Sequence, residues 1–320
     1  PLKAGSKVST TRALAAPGCL QSLDPQLIRF LWQRRAVGAQ AFSICGLTHT
    51  IASEGAMQSI GDLVLAPTEE WDALVCTSQA VKEAVCVQFD AIDAYLRDRF
   101  GASRTARPQL EVIPLGVDCD RLAPDPGARE ALRAKLGIGA DDVAALFVGR
   151  LSFHAKANPF PMYAALERAA RGRGRRLHLI QAGWFANAAI EKAFRSGAQE
   201  FAPSVVAHFL DGRDAEVRRA IWSAGDIFVA LVDNVQETFG LAPVEAMAAG
   251  RPVIARRAGG VLDTVLEGQT GLFFDGADPA ALAAAVLAAD AVDWQPQRIR
   301  VQAARFGVEP FRRGLLSFLE

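Results

Sequence analysis

The sequence predicts an α/β protein of two Rossmann-like, doubly wound domains, of which the N-terminal one is incomplete. Three observations predict this fold class. The length of 320 residues suits two domains. In the second half, six short apolar runs alternate with segments of helical periodicity, the pattern of an open parallel sheet covered on both faces. In the first half the same alternation yields only three strands, too few for a doubly wound domain of normal size.

The first half opens with an Asp-Pro pair at Asp24, which predicts a helix over 24–37. Apolar runs with β-rich composition predict the strands, and 3.6-residue periodicity predicts the helices between them. In chain order the remaining predicted elements are a strand at 41–45, a helix at 54–65, a strand at 73–77, a helix at 79–100 and a strand at 110–114.

The second half shows clearer helix signals. Asp214 and Asp278 are natural N-caps, and Pro159 and Pro243 stand where a proline suits the first turn of a helix. The predicted strands are 143–148, 177–182, 205–210, 226–232, 252–255 and 271–274. The predicted helices are 159–171, 186–201, 214–224, 243–249 and 278–289. This alternation predicts a parallel sheet whose carboxyl edge carries the ligand site.

Composition sets the domain limits and excludes some classes of protein. A stretch rich in Pro, Gly and Asp follows residue 116 and predicts a linker. We therefore predict a partial domain at 1–122, a linker region at 123–140, a second domain at 141–303 and a tail helix at 304–320. Lys plus Arg equals Asp plus Glu, 35 each, which argues against nucleic-acid binding by overall charge.

Cysteine usage and hydropathy indicate the compartment. The five cysteines form no C-x-x-C pair, which disfavours a metal or disulfide framework and fits a reducing, cytoplasmic compartment. The sequence has no run of about 18 apolar residues, and so it predicts no transmembrane helix. The first residues do not form a signal peptide and lack an initial Met, so we expect a fragment of a longer protein.

The most informative stretch is ETFGLAPVEAMAAG, residues 237–250, directly after the predicted strand DIFVALV. A strand, a turn containing Gly240 and a helix opened by Pro243 would present backbone N–H groups and a helix dipole to a phosphate. Glu237 on the turn and Glu245 in the helix could both accept hydrogen bonds from hydroxyl groups. The alternative for Glu245 is a first-turn carboxylate that only complements the dipole.

A second group follows the predicted strand VAALFV. Gly149 and Arg150 stand at its carboxyl end, and Lys156 lies six residues beyond Arg150. Arginine binds phosphate as a planar fork and lysine as a point charge, so this group could hold a diphosphate. The alternative is a pair of solvated loop cations.

Together these motifs resemble the family-four GT-B glycosyltransferases, also called glycosyl transferases group 1. The resemblance covers about 113–274. It rests on FVGRL with Lys156, HFLDG, the long string DIFVALVDNVQETFGLAPVEAMAAGRPVIA and the final TGLFF, with Glu237 and Glu245 in the E-x7-E spacing. In this chain HAKANP replaces the usual Lys-Gly ending, and the gap from Arg to Lys is slightly longer than in the family.

The resemblance implies a retaining transfer of sugar from a UDP- or GDP-sugar to an acceptor hydroxyl, without a bound metal or other cofactor. It implies that Arg150 and Lys156 contact the donor diphosphate, that Glu245 holds the ribose hydroxyls, and that Glu237 contacts the donor sugar. The donor is also expected to contact the turn formed by Thr238, Phe239, Gly240 and Leu241.

In the first half, ICGLTHT, VCTSQAV and VIPLGVD resemble the later part of the family's acceptor domain. The resemblance implies that His49, after a strand, lies beside the transferred sugar in a cleft between the two domains. A packed or surface histidine is the alternative. The acceptor, whether carbohydrate, lipid or small molecule, stays open, as does peripheral docking at a membrane.

Two other functions remain. Because the first domain is short, the chain could be a catalytically impaired module that binds nucleotide-sugars. A glycoside phosphorylase of related architecture would need phosphate or pyridoxal phosphate, and the sequence offers no evident lysine pocket for the latter. A nicotinamide dinucleotide site is disfavoured because no G-x-G-x-x-G follows a strand.

Overall fold

The computed structural model describes residues 18–153, 156–172, 174–231 and 238–320. They divide into two compact units. The described residues of the first unit are 18–114, 238–239 and 312–320, and the second unit contains those of 115–231 and 240–311. Each unit is built on its own parallel sheet, which confirms the predicted α/β class with two Rossmann-like domains.

The first unit has a four-stranded parallel sheet in the order β1-β2-β3-β4. The strands are β1 (Cys19–Gln21), β2 (Ser43–Thr48), β3 (Ala73–Cys76) and β4 (Gln109–Val112). The helices are α1 (Ile28–Val37), α2 (Glu54–Leu65) and α3 (Gln79–Phe100), with a 3-10 turn at Ala39–Ala41. Apolar residues of β2, β3 and the three helices form one buried core.

Local signals explain these elements. The Ser53 hydroxyl caps α2 by accepting from the Ala56 N–H at 3.2 Å, and Ser78 caps α3 in the same way. Gly101 ends α3 in the left-handed conformation that glycine adopts without strain. A buried ion pair between Arg34 of α1 and Asp72 joins helix to sheet.

The second unit has a six-stranded parallel sheet in the order β10-β9-β8-β5-β6-β7. Its strands are β5 (Val143–Val148), β6 (Leu177–Gly183), β7 (Val206–Asp211), β8 (Ile227–Ala230), β9 (Val253–Arg256) and β10 (Gly271–Phe274). Strand order reverses between β5 and β8, so the topological switch point lies at the carboxyl ends of these two strands.

Helices cover both faces of this sheet. They are α4 (Pro126–Lys135), α5 (Phe160–Arg171), α6 (Ala188–Phe201), α7 (Ala215–Ala224), α8 (Leu241–Ala248), α9 (Val261–Thr264), α10 (Pro279–Asp290) and α11 (Pro296–Ala304). The side chains of Asp214 and Asp278 cap α7 and α10, as predicted. A further helix, α12 (Val308–Leu319), falls within the predicted tail.

Four departures from the predicted elements are the most informative. Strand β1 was not predicted, because three partly exposed residues carry almost no periodicity. Helix α1 begins at Ile28, four residues after Asp24, whose carboxylate instead accepts from the Gln26 N–H at 2.8 Å. Helix α4 lies inside the stretch predicted as a linker. Helix α8 begins at Leu241, so Pro243 is its third residue.

None of the helices in the described ranges is long and apolar enough to span a bilayer.

Candidate functional site

Three glycines meet at the carboxyl ends of β5, β6 and β7. The Gly149 N–H donates to the Ala182 carbonyl at 3.0 Å, and the Gly212 N–H donates to the Gly183 carbonyl at 2.8 Å. A Cβ atom built on Gly183 would lie 1.8 Å from the Gly149 oxygen, far inside van der Waals contact. This edge therefore requires glycine at 183, and it brings the loop after β5 tightly against the end of β6.

The loop after β5 carries the two predicted cations. Its backbone is fixed by the Leu151 N–H, which donates to the Trp184 carbonyl at 3.0 Å, and by the Lys156 N–H, which donates to the Ser152 carbonyl at 3.1 Å. The Arg150 side chain is exposed. The alkyl chain of Lys156 folds back over Gly149. A Cβ atom built on that glycine would lie only 3.2 Å from Lys156 Cε.

Gly240 is the N-cap residue of helix α8, and its φ of 87° is left-handed and favours glycine. No side chain of the described residues caps this helix. The N–H groups of Leu241 and Ala242 are the first of the helix, and groups at this position have no acceptor within a helix. Without a side-chain cap, they offer hydrogen bonds and the positive end of the helix dipole to an anion.

Glu245 is the fifth residue of α8, and no acidic residue lies in the first turn of that helix. The interpretation of Glu245 as a first-turn carboxylate that complements the dipole is therefore wrong. Burial raises the pKa of Glu245, and the positive charge of Lys156 opposes that rise. A partly buried carboxylate held near one lysine is costly to keep charged, which suits a group that accepts hydrogen bonds from a ligand.

The structure thus gathers Gly149, Lys156, Glu245 and the start of α8 in one unit, at the switch point of the sheet. Arg150 begins the same loop as Lys156. Glu237 lies outside the described residues, and so its predicted role is not described.

Of the other predicted residues, Leu241 is the first residue of α8, and His49, Thr238 and Phe239 lie in the first unit. Phe239 is buried, and Leu241 is exposed. Thr238 is buried in the first unit, where its hydroxyl donates to the His49 carbonyl at 3.2 Å. The His49 side chain is exposed at the carboxyl end of β2. Two residues singled out from separate motifs, His49 and Thr238, are therefore direct neighbours.

Gly183 and Gly212 were not among the predicted site residues. A usable signal was present, because each stands at or just after the end of an apolar strand, in QAG and in LDG. Trp184 follows Gly183, and its side chain is 43% exposed at this edge, so it is not an ordinary core residue.

Chemically, the second unit offers one arrangement. A lysine, an exposed arginine and uncapped helix N–H groups can bind phosphate oxygens. A buried carboxylate nearby can accept from hydroxyl groups. The glycine-lined edge lets a ligand approach the backbone closely.

Known proteins share this fold. The structure of HepE from Anabaena in complex with UDP superposes with a TM-score of 0.74 at 18% identity, over 97% of this chain and 80% of that one. Sucrose-phosphate synthase from Thermosynechococcus elongatus gives a TM-score of 0.67 at 24% identity, over 94% of this chain and 73% of that one. At these identities the likeness shows the fold alone.

Sequence relatives are closer. D-inositol 3-phosphate glycosyltransferase of Geodermatophilus obscurus is 32% identical over 247 residues, which are 75% of this chain and 52% of that protein. A GDP-mannose-dependent phosphatidylinositol monomannoside mannosyltransferase of Mycolicibacterium smegmatis is 34% identical over 61% of this chain and 50% of that protein. The chain spans about half the length of these curated relatives.

The family described as glycosyl transferases group 1 matches residues 128–301, which is more than half of the chain. The matched range includes β5, the loop with Lys156 and the whole of α8. The chain therefore belongs to the glycosyl transferases group 1 family.

Proposed function

We propose that the protein transfers a sugar from a nucleoside diphosphate sugar to an acceptor hydroxyl, with retention of anomeric configuration and without a metal. One observation carries the proposal: Lys156 lies over Gly149 and acts electrostatically on Glu245, so cation, glycine edge and carboxylate form one group. Retention and metal independence rest on the resemblance to family-four enzymes. UDP or GDP is the expected nucleotide, since HepE was solved with UDP and the mannosyltransferase is GDP-mannose-dependent.

The proposed reaction follows from the charges. The bond between the anomeric carbon and the β-phosphate oxygen breaks, and negative charge develops on the departing diphosphate. Lys156, Arg150 and the N–H groups at the start of α8 stabilise that charge, because preorganised donors act most strongly where charge appears. The acceptor oxygen bonds to the anomeric carbon on the face that the diphosphate leaves, and the hydroxyl proton passes to a phosphate oxygen.

Each remaining residue has a role in this proposal. Glu245 accepts hydrogen bonds from the ribose hydroxyls, and Glu237 contacts the donor sugar. His49 lies beside the transferred sugar. A cytoplasmic location and peripheral docking at a membrane surface are further parts of the proposal that rest on cysteine usage and on the resemblance.

Substituting Lys156 tests the donor site. We expect Lys156→Ala to weaken binding of UDP or GDP and of the matching nucleotide-sugars by about 10- to 100-fold, the effect of losing about 1.4 to 3 kcal/mol of a charge-assisted hydrogen bond. The measurement is calorimetric titration with a panel of nucleotides and nucleotide-sugars. Lys192→Ala, which removes an exposed lysine of α6, is the matched control.

Three results would decide against parts of the proposal. Equal affinities for Lys156→Ala and Lys192→Ala would remove Lys156 from the donor site. Donor binding with neither transfer nor donor hydrolysis, in assays with acceptors such as D-inositol 3-phosphate, would indicate a nucleotide-sugar binding module instead of an enzyme. Full activity with EDTA present is expected, and its loss would contradict metal independence.

A further inference from the structure

A cluster of charged side chains lies at the amino ends of the strands in the second unit, at the opposite end from Gly149 and Glu245. Arg129 and Arg133 are four residues apart in α4 and share one face of that helix. Both form ion pairs with Asp226, directly before β8, at 2.5 Å and 3.0 Å. The proposed donor site uses none of these residues.

The hydrogen-bonding capacity of this cluster is largely occupied. The Asp226 carboxylate also accepts from the Ala144 N–H at 2.8 Å. Arg133 Nη2 donates to the carbonyls of Gly139 and Asp142 at 2.7 and 2.8 Å. Arg129 Nη1 donates to three successive carbonyls, those of residues 223–225, at 2.7 to 3.2 Å. The Asp226 carboxylate thus pairs with two arginines, and little of its hydrogen-bonding capacity remains for a third cation.

Arg251 is that third cation. Phe228 pairs with Val253, so Asp226 and Arg251, each two residues earlier, lie side by side at the same end of the sheet. The Arg251 Nε is buried without a hydrogen-bond partner among the described residues. Burial lowers the pKa of Arg251 to about 10, and repulsion by Arg129 and Arg133 adds to this, although Asp226 attracts it.

The local charge is therefore unbalanced, with three guanidinium groups around one carboxylate. The cluster is not sealed from solvent, since the side chains of Arg129 and Asp226 are 29% and 26% exposed. An arginine whose Nε donates to no described residue, beside two further positive charges, suits a tetrahedral oxyanion, which guanidinium groups bind through planar, bidentate hydrogen bonds.

We infer that Arg251, with the neighbouring Arg129 and Arg133, binds a small oxyanion, either inorganic phosphate or the phosphate group of a monoester. The anion supplies the negative charge that Asp226 alone does not. The site is separate from the proposed donor site, because the two lie at opposite ends of one parallel sheet.

The test measures thermal stability against phosphate concentration for the wild type, Arg251→Gln and the control Arg298→Gln, which removes an exposed arginine of α11. Inorganic phosphate and glycerol 3-phosphate are titrated separately at constant ionic strength, so that the two sources are distinguished. All titrations are repeated with Lys156→Ala, which weakens phosphate binding at the proposed donor site. Stabilisation by phosphate bound at Arg251 must persist in the Lys156→Ala background, whether or not the proposed function holds.

We expect Arg251→Gln to be more stable than the wild type without phosphate, because it removes an unbalanced charge. We also expect phosphate to raise the thermal stability of the wild type and of Arg298→Gln until binding saturates. In Arg251→Gln the phosphate concentration at the midpoint of this rise should be at least tenfold higher. Arg251→Lys, which keeps the charge but loses the fork, should also raise the midpoint. An Arg251→Gln protein that is less stable, fails to fold, or keeps the wild-type phosphate response would overturn the inference.

Discussion

At the scale of single residues, Glu245, the proposed partner of the ribose hydroxyls, is held at a cost in stability. Burial in α8 raises the pKa of its carboxyl above the value in the unfolded chain. The folded state therefore binds a proton more tightly than the unfolded state, and this residue's contribution to stability falls as pH rises through that window. At neutral pH the charged carboxylate costs free energy that a bound donor would offset.

We therefore predict that Glu245→Gln raises the stability of the ligand-free protein at pH 7.5 and weakens nucleotide-sugar binding. Each pKa unit of difference corresponds to about 1.4 kcal/mol, and the gain should vanish as pH approaches the ordinary carboxyl range near 4.5. Urea unfolding at several pH values gives the measurement. Glu130→Gln, at an exposed position of α4, should change neither quantity. A destabilised Glu245→Gln would mean that the carboxylate is satisfied within the protein.

Gly183 allows a second prediction at this scale. Its missing Cβ leaves the space that the Gly149 oxygen occupies, at 1.8 Å from the built atom. Alanine there must push two backbone segments apart, so we expect Gly183→Ala to destabilise the protein by more than about 2 kcal/mol, at the upper part of the range for overpacking. It should also weaken donor binding, because Gly149 moves.

The matched control is Gly174→Ala, where a new Cβ meets nothing within 4 Å and no positive φ is required. Chemical unfolding of both variants compares the same change in composition at a crowded and an open position. Equal stabilities would show that the loop after β5 yields without cost.

At the scale of elements, three neighbouring strands are linked by a row of titratable groups. His178 of β6 contacts Asp142, before β5, through Nε2 at 3.2 Å and His208 of β7 through Nδ1 at 3.0 Å. Burial lowers the pKa of His178. Asp142 raises this pKa, whereas the positive charges of Arg176 and Arg133 lower it further. Burial also lowers the pKa of His208, with a further contribution from His178.

Because both folded-state pKa values lie below the ordinary value of 6.5, the unfolded chain takes up protons first as pH falls. The stability due to this row is complete above pH 6.5 and is lost below it. We predict a steep loss of stability as pH falls below 6.5, measured by urea unfolding, and a shallower loss in His178→Gln. Identical slopes for the wild type and His178→Gln would contradict the prediction.

At the scale of the whole molecule, the accuracy of the sequence predictions followed the strength of the local signals. Strands β5 and β10 and helices α2 and α3 have the predicted bounds, because apolar periodicity and caps agree there. Helix α4 was taken for a linker, since its Pro-Gly start masks a helix fixed by the ion pairs of Arg129 and Arg133 to Asp226. Such long-range pairs leave no periodic trace in the sequence.

The same distinction applies to the site. Motif order singled out Lys156 and Glu245 as candidates, and Lys156 lies near enough to lower the pKa of Glu245. The glycine contact between β5 and β6 and the unbalanced charge at Arg251 depend on which strands are neighbours. Strand order follows from the packing of the whole unit and is not encoded by any single segment, so these features required the structure.

The division into two units leads to a final prediction about where a donor acts. The residues proposed to hold the nucleotide, from the loop after β5 and from α8, belong to the second unit, whereas strands β1–β4 form the separate sheet of the first. Ligand binding slows amide hydrogen exchange most where backbone N–H groups gain an acceptor or where local unfolding becomes rarer. Saturating UDP or GDP, whichever binds, should therefore slow hydrogen exchange most in 149–157 and 240–248 and leave β3 and β4 unchanged. Lys156→Ala should reduce the effect at equal nucleotide concentration, and slowing confined to β1–β4 would contradict the assignment of the donor site to the second unit.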